Sequence, residues 1–320
     1  MADIVLNDLN LPPALLEAPR QFTCWAQEQL LAEQRASTPA VPLYHYTGES
    51  SFRGILAAEH FWCFSHQQQK DPNEFEYSLR MARDVIREVG ASRDFFTHHF
   101  CACVDDLLET NKLAGPFEFY LASFSRHRDH EPQWREYGDC GKGFAIGLAP
   151  SLFRPDIDVL IPEANKNLHI GRVVYGEADT RARHLAAIAK AAEITSAMGA
   201  ANPNLVRAAR PSHYLATMAR ELLAQQLIWN CLTAKEARYH DEREVRGIIM
   251  NVTANFDPYR KTFGKRAYVE HQLDLKSPGA IAEILIGPLA HSSADDMVRD
   301  FLRAHGYPSG IPVLRSASTI

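Results

Sequence analysis

The pattern of apolar and polar positions along the chain mixes short runs of strand length with longer amphipathic stretches. Apolar positions recur at helical spacing in three segments, 74–89, 92–109 and 292–306. The strand-like runs are more numerous: "PLYHYT" (42–47), "FWCFS" (61–65), "FEFYLASFS" (117–125), "GFAIGL" (143–148), "IGRVVYG" (170–176), "EVRGIIMNV" (244–252), "RAYVEHQLDL" (266–275) and "AIAEILIGP" (280–288). The pattern predicts an α+β fold with a largely antiparallel β core and inserted helices.

Two segments stand apart from this arrangement. Residues 1–40 contain a helical stretch followed by "RASTPAVP", which predicts an N-terminal helical extension. We expect residues 41–320 to form a single domain, with an Ala-rich helical insert at about 181–235.

The composition limits the classes of function. With 46% hydrophobic and 23% charged residues, the chain is typical of soluble globular proteins. No window reaches the ~20 apolar residues of a membrane span, and no signal peptide is recognisable. We therefore expect no membrane association, and either a cytoplasmic location or delivery into a target cell by a signal-peptide-independent route. The net charge of −5 disfavours a broad phosphate-binding surface but allows a local anion pocket.

The first candidate site is the end of a predicted strand, "VPLYHYTGESSFRGIL" (41–56). His45 offers a hydrogen-bond donor and an acceptor, Thr47 adds a hydroxyl, and Gly48 allows a ligand to approach the backbone. This set suits a ribose or an amide ligand. The alternative is that His45 only satisfies a neighbouring carbonyl group.

The second candidate is the loop "SFSRHRDHEPQWREYGDCGKGFAIGL" (123–148). Trp134 and Tyr137 can stack on a heteroaromatic ring, and three glycines precede the next strand. The same aromatic residues could instead anchor the loop on the core.

The third candidate is "YHDEREVRGIIM" (239–250). Glu242 and Glu244 are two residues apart and point the same way if the segment is extended. Paired carboxylates entering an apolar strand are costly to bury without a partner or a function. Ion pairs with Arg243 and Arg246 are the alternative.

A metal site is not expected. His98, His99, Cys101 and Cys103 suggest zinc by composition. On a helix, however, residues two apart lie on different sides, so these four side chains cannot converge on one ion.

Taken in order, the motifs resemble those of a known family. "HYT", "KDPNE", "SFS", "QWREYGDCGKGFAIGL", "EREVR" and "IAEILIGP" are similar to the motif series of a widespread bacterial domain of unknown function, over roughly residues 41–316. The stretch "LYHYT……GIL……FWCFS" also resembles the opening of the ADP-ribosyltransferase superfamily. Lys70 stands where the bacterial domain usually has Asn, and Tyr46 where the polymerase branch has Gly.

The resemblance implies an ADP-ribosyltransferase-like β core and NAD as a substrate. His45 would bind the adenosine ribose, and the strand end with Tyr46 and Thr47 would face the carboxamide or ribose. Phe64 or Ser65 would border the nicotinamide, and an aromatic ring would stack on it. The candidates for that ring are Tyr77 and Tyr137, and Trp134 is a further candidate for cofactor binding.

The resemblance also implies catalytic carboxylates. Glu244 would bind the nicotinamide-ribose 2′-hydroxyl and favour the cationic state as nicotinamide leaves, and Glu242 would orient the acceptor nucleophile. Glu283, in "IAEILIGP", is the rival for the main carboxylate.

The expected function is that of an NAD-dependent ADP-ribosyltransferase or an NAD glycohydrolase, in the context of a bacterial toxin, effector or defence protein. The expected partners are NAD, an unidentified acceptor (protein, nucleic acid or small molecule) and a cognate inhibitor or antitoxin. The alternative is a catalytically inactive module that senses a nucleotide or binds a partner. A metal-dependent hydrolase is a third option.

Overall fold

The computed structural model describes residues 14–68, 73–109, 113, 117–153, 163–204 and 211–320. The chain divides into two compact units. The first, called here the helical unit, comprises Met1–Ala32, Lys70–Pro116 and Val174–Arg238. The second, the sheet unit, comprises Glu33–Gln69, Phe117–Val173 and Tyr239–Ile320. Residues 1–13 of the expected N-terminal extension and residues 70–72 of the "KDPNE" motif lie outside the described residues.

Ten α-helices are found among the described residues. In chain order they are α1 (Glu17–Ser37), α2 (Glu49–Ala58), α3 (Glu74–Gly90), α4 (Phe95–Glu109), α5 (Glu131–Glu136), α6 (Glu177–Ala201), α7 (Pro211–Thr217), α8 (Ala224–Leu232), α9 (Thr253–Phe256) and α10 (Ala294–Ala304). A π-helical segment, Met218–Leu223, joins α7 to α8.

Twelve β-strands are found in the same described ranges. In chain order they are β1 (Leu43–Thr47), β2 (His60–Ser65), β3 (Phe117–Ser125), β4 (Phe144–Leu148), β5 (His169–Arg172), β6 (Val174–Tyr175), β7 (Ala234–Lys235), β8 (Glu244–Val252), β9 (Lys261–Phe263), β10 (Arg266–Gln272), β11 (Ile281–Ile286) and β12 (Val313–Arg315).

The helical unit is built from amphipathic helices that bury their apolar faces on one another. Helix α4 buries Phe100 and Val104, which are four residues apart and so lie on one side of the helix. Its neighbour α3 supplies Ser78, whose hydroxyl hydrogen-bonds the Nε2 of His184 on α6 at 2.9 Å. Most of helix α6 lies in the Ala-rich segment 181–235, and it buries residues such as Ile188 and Ile194 inside this unit.

The sheet unit contains one large, mostly antiparallel sheet. Its strands run in the order β12-β11-β4-β1-β3-β2-β10-β9, and β8 pairs with β3 and with β5. The pair β11 and β12 is parallel, whereas the other pairs described in this sheet are antiparallel. The expected combination of helices with a largely antiparallel sheet is therefore confirmed.

The sheet splits along one edge of β3, and this split positions the candidate site. Strand β1 meets β3 at the pair Tyr44 and Ser125, whereas β2 meets it at Leu121 and Tyr120. Ser123 lies between these two pairs and is matched with neither strand. Because β1 and β2 diverge here, a cleft opens beside β3, and α2 connects the two diverging strands.

The sheet buries apolar side chains on both faces, in a main cluster on one face and a smaller cluster on the other. Strand β1 shows the alternation, because Leu43 is buried in the main apolar cluster while Tyr44 and Tyr46 belong to a smaller cluster with Trp134. Helices α2 and α10 cover the main cluster through residues such as Phe52 and Val298. Among the described residues, no helix is both long and apolar enough to cross a lipid bilayer.

Candidate functional site

A cavity of about 830 Å³ occupies the sheet unit where β1 and β2 diverge. Its walls come from the end of β1, from α2, β2 and β3, from α5 and the start of β8, and from the β9–β10 hairpin. His45, Thr47, Tyr137, Glu242 and Glu244 are all among the lining residues. Residues from three separate sequence motifs therefore meet in one place.

His45 is held at the split in the sheet. Its Nδ1 lies 3.1 Å from the carbonyl oxygen of Ser123, and its ring packs edge-on against Phe61 with 5.0 Å between ring centroids. A carbonyl oxygen only accepts, so Nδ1 carries the proton. Burial lowers the pKa of His45 below its usual 6.5, which keeps the ring neutral near pH 7. Nε2 is then a hydrogen-bond acceptor.

The side chain of Tyr46 points to the other face of β1. Its hydroxyl donates to the carbonyl oxygen of His127 at 2.9 Å, and its ring packs edge-on against Trp134 at 4.8 Å between centroids. Tyr46 forms part of the cavity wall, but its phenol belongs to a packed cluster. Alternation along the strand separates it from His45 and Thr47.

Trp134 is a structural residue. It is 0% exposed and is not among the residues that line the cavity. Its indole N–H donates to Asp129 Oδ1 at 2.6 Å. The suggestion that Trp134 stacks on a ligand does not fit this position, and the alternative of a loop anchor does. By fixing α5, Trp134 holds its neighbours Gln133 and Tyr137 at the cavity wall.

Tyr137 and Glu242 are in contact at the cavity. Tyr137 is 38% exposed, and its hydroxyl donates to Glu242 Oε1 at 3.3 Å. The backbone of Glu242 is also fixed, because its carbonyl oxygen accepts from the hydroxyl of Ser125 at 2.9 Å. The phenol and the carboxylate therefore form one polar unit at the wall.

Glu244 forms a buried ion pair with Arg246. The guanidinium Nε lies 3.0 Å from Oε1 and the Nη2 lies 3.1 Å from Oε2, in a two-point contact between residues on one side of β8. Glu244 is 5% exposed and Arg246 is 4% exposed. The carboxylate is thus fixed in direction, with a compensating charge behind it.

The segment between the two glutamates is not extended. Arg243 has a φ of +42°, in the left-handed region that residues other than glycine rarely adopt. Glu242 and Glu244 were expected to point the same way only if the segment is extended, and this condition is not met. Both still line the cavity.

Glu283 lies outside the cavity. Arg128 contacts both of its carboxylate oxygens, at 2.8 and 2.7 Å, and the hydroxyl of Tyr44 donates to it at 2.7 Å. Burial, together with the hydrogen bond to Glu283, raises the pKa of Tyr44. Glu283 is thus committed to a network with Tyr44, and only Glu242 and Glu244 of the three candidate glutamates line the cavity.

Three further candidate residues have different positions. Phe64 lines the cavity, whereas Ser65, the last residue of β2, is not among the lining residues. Tyr77 belongs to helix α3 of the helical unit and is likewise not among them. Of the aromatic rings proposed to stack on a ligand, only Tyr137 lines the cavity.

Several lining residues were not singled out in the sequence. Gln133 borders the cavity on α5, and Trp62, Phe263 and Arg266 border it on β2 and the β9–β10 hairpin. The signal in the sequence is the mixture of basic and aromatic residues in "YRKTFGKRAY" (259–268). Its meaning depends on the pairing of β10 with β2, which are about 200 positions apart in the sequence.

As for metals, no group of three or more His, Cys, Asp or Glu side chains in the described ranges could hold an ion.

Comparison with known proteins gives one match. No curated protein and no solved structure is significantly similar to the chain. The matching family model covers Tyr137, Glu242 and Glu244 but begins after His45. Residues 133–247 of this chain match the domain-of-unknown-function family described as "Protein of unknown function (DUF2971)".

Proposed function

We propose that the cavity of the sheet unit binds NAD and that the protein cleaves its nicotinamide–ribose bond, either to transfer ADP-ribose to an acceptor or to hydrolyse NAD. The observation that carries the proposal is that His45 and Glu244, which lie far apart in the sequence, line one cavity. The sequence motifs that resemble ADP-ribosyltransferases contain these two residues. The mostly antiparallel sheet is also compatible with a core of that type.

The size and polarity of the cavity suit a dinucleotide. Ligand pockets are typically about 300–1,000 Å³ and are mostly apolar with a few fixed polar groups. The volume of about 830 Å³ lies in the upper part of that range. Aromatic walls from Phe61, Phe64 and Tyr137 offer flat surfaces to ring systems.

The proposed step needs a fixed negative charge. The bond between ribose C1′ and the nicotinamide nitrogen breaks, and both electrons leave with neutral nicotinamide. Positive charge then develops on the ribose, and a carboxylate held in place beforehand stabilises it. Glu244 is suited to this role because Arg246 fixes its orientation. The lone pair of the acceptor, or of water, forms the new bond to C1′.

The remaining polar groups have complementary roles. Glu242 accepts the proton that the nucleophile loses, and the Tyr137 hydroxyl, 3.3 Å away, orients that carboxylate. Neutral His45 presents Nε2 as an acceptor for a ribose hydroxyl. Lowering the pKa of His45 favours this role, since a protonated ring has no acceptor nitrogen.

The test is release of nicotinamide from NAD by the purified full-length protein. We expect the native protein to release nicotinamide, Glu242→Gln to be slowed, and Glu244→Gln to be inactive. Glu283→Gln is the matched control, because it removes a carboxylate that does not line the cavity. Circular dichroism and the midpoint of thermal unfolding check that each variant is folded. No release by the native protein with any acceptor, including water, contradicts the proposal.

A second candidate function has its own supporting observation. The two-point ion pair gives Glu244 a structural partner, so the cavity could bind a nucleotide without catalysing a reaction. In that case NAD or ADP-ribose raises the unfolding temperature of the native protein and no nicotinamide appears. The same two measurements on one sample therefore separate the candidates.

A further inference from the structure

A cluster of aromatic residues and one arginine lies beside the cavity on the outer strands of the sheet. We call it the aromatic rim, and its members are Trp62 and Phe64 on β2, Phe263 on β9, and Arg266 and Tyr268 on β10. Trp62 stacks on Tyr268 with 4.2 Å between centroids and an angle of 25°. The centroid of the Phe263 ring lies 5.4 Å from that of Trp62, so the rings form a continuous surface.

The aromatic rim is open to solvent at its edge and continuous with the cavity. Phe263 is 62% exposed, which is unusual for a phenylalanine. Trp62, Phe64, Phe263 and Arg266 are all among the residues that line the cavity. A molecule resting on the rim therefore reaches the groups around Glu244 without crossing other structure of the sheet unit.

Arg266 carries a charge that no acidic residue of the described chain neutralises. Its guanidinium carbon lies 3.7 Å above the centre of the Phe64 ring, in a cation–π contact. Partial burial lowers the pKa of Arg266, and no carboxylate counteracts this. By contrast, Lys261 on the neighbouring strand is paired with Glu270 at 2.5 Å.

The hairpin that bears Arg266 is locally basic. Between Lys261 and Gln272 it carries Lys261, Lys265 and Arg266 against the single acid Glu270, a net charge of +2. The whole chain has a net charge of −5. The positive charge is therefore concentrated next to the exposed ring of Phe263, and it attracts an anion to that place.

We propose that the aromatic rim binds single-stranded nucleic acid as the acceptor, with bases stacked on the exposed ring of Phe263 and the half-buried ring of Trp62, and a phosphate on Arg266. The inference rests on the proposed function and specifies its acceptor class. Flat aromatic faces beside a cation are the combination by which proteins hold single strands. In the transfer step, the bond from C1′ to nicotinamide breaks, a base N–H nitrogen forms the new bond to C1′, and its proton passes to Glu242.

The rim is less suited to a peptide acceptor. A peptide that docks by strand addition needs a long free edge, and the edge strand β9 has only three residues. The side chain of Lys261, on that edge, is already paired with Glu270. Modification of a protein is therefore kept as an outcome of the experiment.

The first experiment measures binding without NAD. A fluorescein-labelled 12-nucleotide single strand, as DNA and as RNA, is titrated with the full-length protein and followed by fluorescence anisotropy at several salt concentrations. Phe263→Ala should weaken binding by about 5- to 150-fold, the loss of one stacked base. Arg266→Gln should reduce the slope of log affinity against log salt by about 0.7, the loss of one phosphate contact.

Two control variants match these changes outside the cavity. Leu289→Ala truncates another exposed apolar side chain, 54% exposed, and Arg303→Gln removes another exposed arginine, 79% exposed. Both should bind the oligonucleotide as the native protein does. Absence of binding at 50 mM salt, or equal weakening by the control variants, overturns the inference.

The second experiment identifies the acceptor and separates the two proposals. With NAD labelled in the adenylate part, the native protein should label the oligonucleotide, whereas Glu244→Gln, checked for folding by circular dichroism, should label nothing. Label on protein instead of oligonucleotide overturns the inference and leaves the proposed function intact. Oligonucleotide binding without any consumption of NAD refutes the proposed function and, with it, the acceptor role of the rim.

Discussion

The buried pair of Glu244 and Arg246 allows the sharpest prediction about stability. Both residues are at most 5% exposed, and two hydrogen bonds of 3.0 and 3.1 Å join them. Glu244→Gln keeps the shape of the side chain and removes the charge that faces the buried guanidinium of Arg246. Breaking a buried pair from one side costs about 3–5 kcal/mol, so we expect a loss of that size.

This loss is a large share of the free energy of unfolding of a whole domain. Domains unfold with a free energy of about 5–15 kcal/mol, so the single variant should have a clearly lower urea midpoint. Arg246→Met, which removes the guanidinium that contacts both oxygens of the Glu244 carboxylate, should lose a similar amount. The double variant removes both charges of the pair together and should be more stable than the sum of the two losses predicts, by at least ~2 kcal/mol.

The assay is urea unfolding of the native protein, both single variants and the double variant, followed by circular dichroism. Because the pair is buried, the coupling should change little between 50 mM and 500 mM salt. A coupling energy near zero, or a loss below ~1 kcal/mol for Glu244→Gln, refutes the reasoning and makes the contact an ordinary surface pair.

Three further outcomes are expected. Trp134→Phe removes the N–H donor to the partly buried carboxylate of Asp129 and should lower the free energy of unfolding by about 1.5–3 kcal/mol, the value of a hydrogen bond to a charged group, measured with urea. Burial lowers the pKa of His184 to about 3, so the unfolded chain takes up a proton near pH 6.5 and the folded chain does not. The free energy of unfolding should therefore fall as the pH is lowered from 6.5 towards 3. His184→Gln should flatten that dependence in unfolding experiments at pH 7 and pH 5. Gly143→Ala places a methyl group 2.2 Å from the carbonyl oxygen of Thr47. The midpoint of thermal unfolding should therefore be lower, and calorimetry should show weaker binding of NAD. An unchanged midpoint contradicts this contact.

Much of the sheet could be predicted from the sequence. The runs at 117–125 and 244–252 became β3 and β8 with the same bounds, because long apolar stretches with turns at both ends leave few alternatives. The run at 170–176 did not form one strand. It divides at Val173 into β5 and β6, which pair with different partners, and local pattern alone does not reveal such partners.

The sequence predicted the residue types of the candidate site better than the directions in which their side chains point. His45 and Thr47 could be chosen because they end an apolar strand beside a glycine. The packing of Tyr46 against Trp134 depends on which face of the strand meets the core, which a five-residue strand with three aromatic rings leaves open. The turn at Arg243 depends on a left-handed conformation, and a glycine, the residue that usually indicates this conformation in a sequence, is not present at this position.

The contact of Arg266 with Phe64 could not be predicted from the sequence, for another reason. It requires β10 to pair with β2 in a register that matches Tyr268 with Phe64. Such long-range registers follow from the burial of whole faces rather than from any local motif. The aromatic rim is thus a product of tertiary structure.

The split between β1 and β2 constrains how this protein can diverge. The imidazole at position 45 satisfies the main-chain carbonyl of Ser123 on the side of β3 where β1 and β2 diverge, so that position supports the sheet whatever the cavity binds. Replacement of His45 therefore requires another short donor, such as asparagine, for the same carbonyl group. Replacement of Glu242 keeps the backbone contact with Ser125 and loses the side-chain contact with Tyr137. Substitutions at position 242 should therefore disturb the sheet less than substitutions at position 45.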